Sequence, residues 1–199
     1  MAPTTWIAAD ADSSTGKRRM SQIRQLARGF LPCKIIDLGA GTCEIALRLK
    51  QDGAEVLAVD WTIERVIDEA KQFFVQTDAT ILVPDEFDLI VCAGLLYHLS
   101  IEQQQRCSRN WSGKPVILDT HFSRTPDTTV GEYFGQYREP TKSTRVSMPF
   151  VHTVPSLRRL FASHHVIETF ERTTPDRQTF LLIPRASTES TCEGGSDAT

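Results

Sequence analysis

Residues 34–60 read KIIDLGAGTCEIALRLKQDGAEVLAVD, and no other stretch narrows the possible folds as far. KIIDL is short, apolar and rich in β-branched residues, as expected of a strand buried on both faces. It stops at Gly39, and Gly41 follows. From Thr42 to Gln51 the period changes: Ile45, Ala46 and Leu49 share one helical face, and Gly53 supplies the stop. EVLAVD is then a second strand. Two strands joined through a helix are expected to lie parallel, with a right-handed crossover.

The alternation continues on both sides of this unit. A basic helix is predicted over about Lys17–Phe30, with Met20, Ile23, Leu26 and Ala27 as its apolar stripe. Ile63, Val66, Ile67 and Ala70 predict a second crossover helix. FFVQTDA, FDLIVCAG and PVILDT read as the third, fourth and fifth strands, with a helix from Ile101 to Asn110 between the last two. A further helix is predicted over Ser156–Ser163, capped by Thr153 or Ser156. HVIETFERT and QTFLLIP, separated by TPDR, form a closing antiparallel hairpin. The sum is one doubly wound α/β domain with a mostly parallel seven-stranded sheet ending in an antiparallel hairpin.

Composition narrows the setting. Apolar residues make up 40% of the 199 and charged residues 24%, enough for one real core. The net charge of −3 supplies no global field toward DNA or a membrane surface. No apolar run is long enough to span a bilayer, and the N-terminus lacks a secretory apolar segment. Cys33, Cys43, Cys92, Cys107 and Cys192 are scattered and odd in number, which favours a reducing cytoplasm over a disulfide framework or structural zinc. Residues 1–16 are expected to be a flexible arm, 17–185 the folded domain, and 186–199 a disordered tail. Residues 122–150 are too long for an ordinary connection and read as a lid over a substrate.

KIIDLGAGTCEIALRLKQDGAEVLAVD resembles the first cofactor-binding motif of class I S-adenosylmethionine-dependent methyltransferases. FDLIVCAGLLYHLS resembles their fourth-strand motif, and VQTDA has the place of their third strand. The resemblance runs over nearly the whole folded part, from about Lys17 to Arg185. It implies a Rossmann-like sheet, S-adenosyl-L-methionine as cofactor, and cofactor contacts from Asp37, Gly39, Ala40, Gly41, Asp60, Trp61, Asp78, Ala79 and Cys92. LLYHL followed by LDTH also resembles methyltransferases related to tRNA wobble-uridine modification and their small-molecule relatives.

The residue types suit those roles. Gly39 and Gly41 let backbone approach a ligand closely. Asp60 stands 21 residues after Gly39 and can accept from two ribose hydroxyls. Trp61 can stack on an adenine or pack beneath the next helix. Asp78 can accept from the adenine amino group or cap a helix. Asp37 is either a strand-end acid tied to backbone amides or a support for the glycine turn. Lys17, Arg18 and Arg19 are a solvated face or, by the resemblance, a source for an arginine meeting the cofactor carboxylate. Two features depart from the family: Cys43 stands where a third glycine is frequent, and the loop from Thr80 to Glu86 is short.

For the transfer itself, His98 and His121 are the candidate bases, each also readable as a loop-holding histidine. Tyr97, Tyr133 and Arg138 are candidate substrate contacts, with Lys142 beside them. A metal on Asp119, His121, Glu132 and His152 has no ligand spacing to support it. His164 and His165 read as structural or exposed. The expected function is methyl transfer to an O, N or C nucleophile of a small molecule. RNA methylation and a non-catalytic cofactor-binding protein are the alternatives. A nicotinamide oxidoreductase is disfavoured because Glu44 occupies the third position of its glycine fingerprint.

Overall fold

The computed structural model describes residues 14–141, 144–168, 170 and 172–186. The arm expected before Ser14, Lys142 and the tail beyond Ala186 lie outside these residues.

KIIDL forms β1 (Lys34–Leu38), buried at every position after the first. It pairs in parallel with β2 (Glu55–Asp60) on one side and β4 (Leu89–Ala93) on the other. The seven-stranded sheet has the order β3-β2-β1-β4-β5-β10-β9, with β3 at Phe74–Gln76 and β5 at Val116–His121. The closing hairpin is β9 (His164–Glu168) and β10 (Arg177–Pro184), antiparallel to each other, with β10 antiparallel to β5. Strand order reverses between β1 and β4, so their carboxyl ends open a crevice where such sheets bind ligands.

Two cores cover the two faces. On one, α1 (Ser14–Arg28) sets Ile23 and Ala27 against Ile35, Val91 and Ile117, beside Ala46 and Leu49 of α2 (Glu44–Gln51). On the other, α3 (Ile101–Asn110) and α4 (Val154–Leu160) cover Ile36, Ile90, Leu118 and Phe180. Trp111 stacks on Phe161 there at 6.0 Å, both fully buried. The helix starts are encoded locally. Ser100 and Gln103 form a capping box, and Thr153 Oγ1 accepts from Ser156 N.

Several sequence expectations are corrected. The first helix begins at Ser14, so residues 14–16 belong to it rather than to an arm. The helix expected on Ile63–Ala70 is absent; only a 3₁₀ segment, Asp68–Phe73, forms. Its backbone is drawn elsewhere: Thr62 N donates to Asp60 Oδ1, Glu64 N to Thr62 Oγ1, and Ile67 N to Thr42 O. Side-chain acceptors and β-branched residues together outcompete the helical ladder. Residues 122–150 hold structure of their own: β6 (Thr128–Val130), β7 (Tyr133–Tyr137) and β8 (Phe150–His152) form a three-stranded antiparallel sheet. A side chain at Gly135 would meet Val151 O at 2.1 Å and the Phe150 ring at 2.8 Å, so that crossing requires glycine.

Candidate cofactor and acceptor cleft

The turn after β1 is an elbow of left-handed residues: Gly39 at φ 74°, Gly41 at 57° and Cys43 at 65°. Gly39 N and Ala40 N both donate to Val59 O of β2. Asp60 closes the elbow from the next strand, with Oδ2 accepting from Gly41 N at 2.9 Å and Oδ1 from Thr62 N at 3.2 Å. A Cβ on Gly39 would lie 2.6 Å from Leu95 Cβ, so the turn after β4 packs directly on the elbow. Three strand ends are thereby locked together.

They frame one cleft of about 1100 Å³. Gly39, Ala40, Gly41, Asp60, Trp61, Asp78 and Ala79 all line it, and so do Tyr97 and His98. Asp78 Oδ1 accepts from Thr80 N, which fixes its carboxylate at the rim. Trp61 is partly exposed, and the Arg145 guanidinium lies 4.9 Å from its ring centroid. His98 Nδ1 meets Thr144 Oγ1 at 2.9 Å. Burial, then Arg177, His121, Arg65 and Arg138, pull the His98 pKa down to about 4.

Other expected site residues sit elsewhere. Cys92, within β4, is fully buried in the core, and burial pushes its thiol pKa far up. Tyr133 is buried against His152 at 5.5 Å and packs in the core. Arg138 pairs with Asp176 at 3.4 Å outside the cleft. His121 stands behind Tyr97, edge-on at 4.7 Å, with Nδ1 held by Asp176 and Nε2 facing Arg177 Nη1 at 3.4 Å. Asp37 lies beneath the elbow, with no hydrogen-bond partner for either oxygen among the described residues, and burial raises its pKa to about 7 against the pull of Arg19. The four residues considered for a metal do not converge: Glu132 is exposed near Arg159, His152 is bound to Ser156, and Asp119 is enclosed by arginines.

The sequence offered Arg19 with Lys17 and Arg18 as a source for an arginine meeting the cofactor carboxylate, but Arg177 and the pairing of both arginines with Asp119 were missed. Asp119 ends inside β5, wholly buried, and accepts from Arg177 Nε at 2.8 Å, Arg177 Nη2 at 2.6 Å and Thr179 Oγ1 at 3.1 Å. Arg19 of α1 reaches it too, with Nε 2.6 Å from Asp119 Oδ1 and Nη2 donating to Ala93 O. Burial alone would raise the Asp119 pKa, but the two guanidiniums hold it below the usual carboxylate range. Arg19 and Arg177 both line the cleft. An aspartate within the buried run VILDT was the available signal, because such a charge must find a cation.

Residues 35–113 match a family model described as a methyltransferase domain. Over that span the chain is similar to methyltransferase domains. An uncharacterized methyltransferase of Staphylococcus carnosus is 30% identical over 99 residues, 45% of this chain; the match spans about half of that relative, 48%. Among solved structures, Burkholderia thailandensis 1,6-didemethyltoxoflavin-N1-methyltransferase superposes with TM-score 0.65 at 16% identity, covering 92% of this chain and 91% of that one. Magnesium protoporphyrin IX methyltransferase of Synechocystis PCC 6803 gives TM-score 0.61 at 16% identity, covering 93% and 86%. The PH0226 protein of Pyrococcus horikoshii OT3 gives 0.64 at 17%, covering 88% and 94%. At such identities these likenesses establish the shared fold.

The two departures from the resembled motif each have a structural counterpart here. Cys43 takes a left-handed backbone, φ 65°, and is completely buried. A Cβ in that conformation costs on the order of 1–2 kcal/mol. The short Thr80–Glu86 loop is tied down instead by Asn110 Nδ2, which donates to Leu82 O at 3.1 Å. Among the described residues no helix is long and apolar enough to cross a membrane.

Proposed function

We propose that this chain transfers a methyl group from S-adenosyl-L-methionine to a nucleophilic atom of a small-molecule acceptor. One observation carries the reading: the glycine elbow, Asp60 and Asp78 surround a single hollow at the switch point of the sheet. The residues fit the cofactor. A Cβ on Gly41 would meet only Arg65 Nη2, at 4.0 Å, so the space above the elbow is open. Asp60 gives each oxygen one backbone N–H and retains lone pairs for ribose hydroxyls. Asp78, Ala79 and Trp61 line the same hollow, which supports reading an adenine edge and face there.

When bound, the cofactor supplies a methyl group already activated on a sulfonium. The chain's own residues then have to align the acceptor and exclude water. Tyr97 and His98 wall the acceptor end, and Thr141, Arg145 and Val146 of the inserted segment border the same cleft. A His98 pKa of about 4 leaves it neutral at physiological pH, a hydrogen-bonding group and a weak base. His121, held by Asp176 and turned toward Arg177, supports Tyr97 from behind. A small-molecule acceptor is also supported by the Burkholderia structure, which has 1,6-didemethyltoxoflavin and S-adenosylhomocysteine bound.

The test is methyl incorporation from labelled S-adenosylmethionine into a fractionated cell extract. Label is expected in the low-molecular-weight fraction. Label confined to tRNA would transfer the assignment to RNA. Tight cofactor binding with no label in any fraction would assign a non-catalytic cofactor-binding role.

A further inference from the structure

Two neighbouring residues of the inserted segment touch opposite walls of the cleft. Thr144 meets His98, and Arg145 lies over Trp61. We propose that residues 144–146 are a strap that gates the cleft, latched by these two contacts, so that the cofactor enters and its demethylated product leaves only when the latches open. This rests on the proposed function and deepens it.

The walls locate the strap. Trp61 directly follows β2, and His98 closes the 3₁₀ turn Leu96–His98 after β4. β2 and β4 flank β1 in the sheet. A segment touching both therefore passes over the carboxyl end of β1, above the elbow. Arg145 and Val146 line the same cleft as the elbow, Asp60 and Asp78.

One end of the strap is fixed and its middle is lightly held. Pro149 and Phe150 are buried where it enters β8; Arg138 N donates to Pro149 O and Phe150 N to Leu99 O. Between that anchor and Thr144 the chain is open to solvent. Arg145, Ser147 and Met148 are exposed, and Thr144 and Val146 only half-buried. A segment with so little buried apolar surface opens at low cost. What holds it down is polar. The Arg145 guanidinium lies 4.9 Å from the Trp61 ring centroid, within the ~6 Å reach of a cation over an aromatic face. Thr144 Oγ1 lies 2.9 Å from His98 Nδ1.

The seated strap is compatible with an occupied cleft. The space bounded with Arg145 in place is about 1100 Å³, against ~300–1,000 Å³ for a pocket holding one small molecule. Both latches join protein to protein, so they favour closure equally over a filled and an unfilled cleft. Such contacts set the rates of entry and exit and leave the affinity unchanged. A strap of this kind excludes water during transfer and makes product release a gated step.

The experiment measures association and dissociation of S-adenosylhomocysteine by surface plasmon resonance on the whole chain, with thermal melts confirming that each variant is folded. Arg145→Ala is expected to raise both rate constants together by about threefold to tenfold, with Kd within about twofold of wild type. Thr144→Val, which releases the other latch, is expected to do the same to a similar degree. Arg145→Lys leaves a cation for the ring and should fall between wild type and alanine. Unchanged rates in Arg145→Ala overturn the proposal, and so does a Thr144→Val chain with wild-type rates, which would reduce the strap to one local contact. Faster dissociation alone, with weaker affinity, would make Arg145 a direct cofactor contact. Faster association alone, with tighter affinity, would make it a plug on Trp61. Either result overturns the gate. Failure of the wild-type chain to bind S-adenosylhomocysteine removes the parent reading and this one with it, whereas binding with rates indifferent to both latches removes this one alone.

Discussion

Asp119→Asn is the substitution whose consequence follows most directly from the structure. The carboxylate is fully buried and shared by Arg177, whose side chain is 10% exposed, and Arg19, whose side chain is 19% exposed. Asparagine preserves the shape and removes the charge, leaving two guanidiniums without a counter-ion. Breaking a buried pair on one side costs about 3–5 kcal/mol. A domain of this size loses roughly 2–4 °C in melting temperature per kcal/mol, so the expected drop is roughly 6–20 °C. Arg177, the more buried partner, carries most of that cost. Arg177→Gln added to Asp119→Asn should therefore restore part of the loss, with a coupling of about 1–3 kcal/mol. Thermal melts followed by circular dichroism at neutral pH read both quantities. A single variant melting within about 2 °C of wild type, or a double variant equal to the sum of the two singles, would refute the reasoning.

Gly39→Ala combines a left-handed backbone with a Cβ 2.6 Å from Leu95 Cβ. Together these cost on the order of 2–5 kcal/mol, read as a lower melting temperature and weaker S-adenosylhomocysteine binding; an unchanged melt would show that the elbow is not locked to the β4 turn. Acid should weaken the fold in two stages. His152 is buried and its pKa is lowered to about 4, so the unfolded chain binds more protons between about pH 6.5 and about 4, and stability falls as pH drops through that window. Asp119, whose pKa is lowered, contributes stability that is complete above the ordinary carboxylate range and lost only below it. Asp37, its pKa raised to about 7, acts in the opposite sense over the same window, so urea melts at pH 7.5, 5 and 4 on wild type and His152→Asn are compared, and an identical pH dependence in the two contradicts the first stage. Gly135→Ala should destabilise the inserted sheet, because its Cβ would overlap Val151 O at 2.1 Å; a wild-type melt would contradict that crossing.

Most of the sheet was legible because its signals are local. KIIDL and VILDTH are apolar runs that only a two-faced sheet can bury, and Ser100 with Gln103 announces α3 in four residues. The elbow and both rim carboxylates were readable for the same reason, since each follows a strand. What escaped depended on distant pairs. Ile63–Ala70 has helical spacing, yet Glu64 N donates to Thr62 Oγ1 and Ile67 N to Thr42 O, while Asp60 holds Thr62 N just before the segment. Tyr133 has the look of a lid aromatic, but the sheet built by residues 128–152 turns it into the core. Arg19 and Arg177 lie 158 residues apart in sequence and meet only because α1 and β10 both end beside β5.

The central claim is that this cleft grips an adenosyl group through Asp60. Isothermal titration with S-adenosylhomocysteine, comparing wild type with Asp60→Asn, tests it most directly. The account predicts saturable one-to-one binding, weakened about 10–100-fold by the loss of charge-assisted hydrogen bonds to the ribose, with the free variant melting roughly 2–12 °C lower because an asparagine Nδ2 cannot accept one of the two elbow N–H groups, and both titrations run well below that melt. No heat of binding in the wild type, or equal affinity in the two proteins, would contradict it.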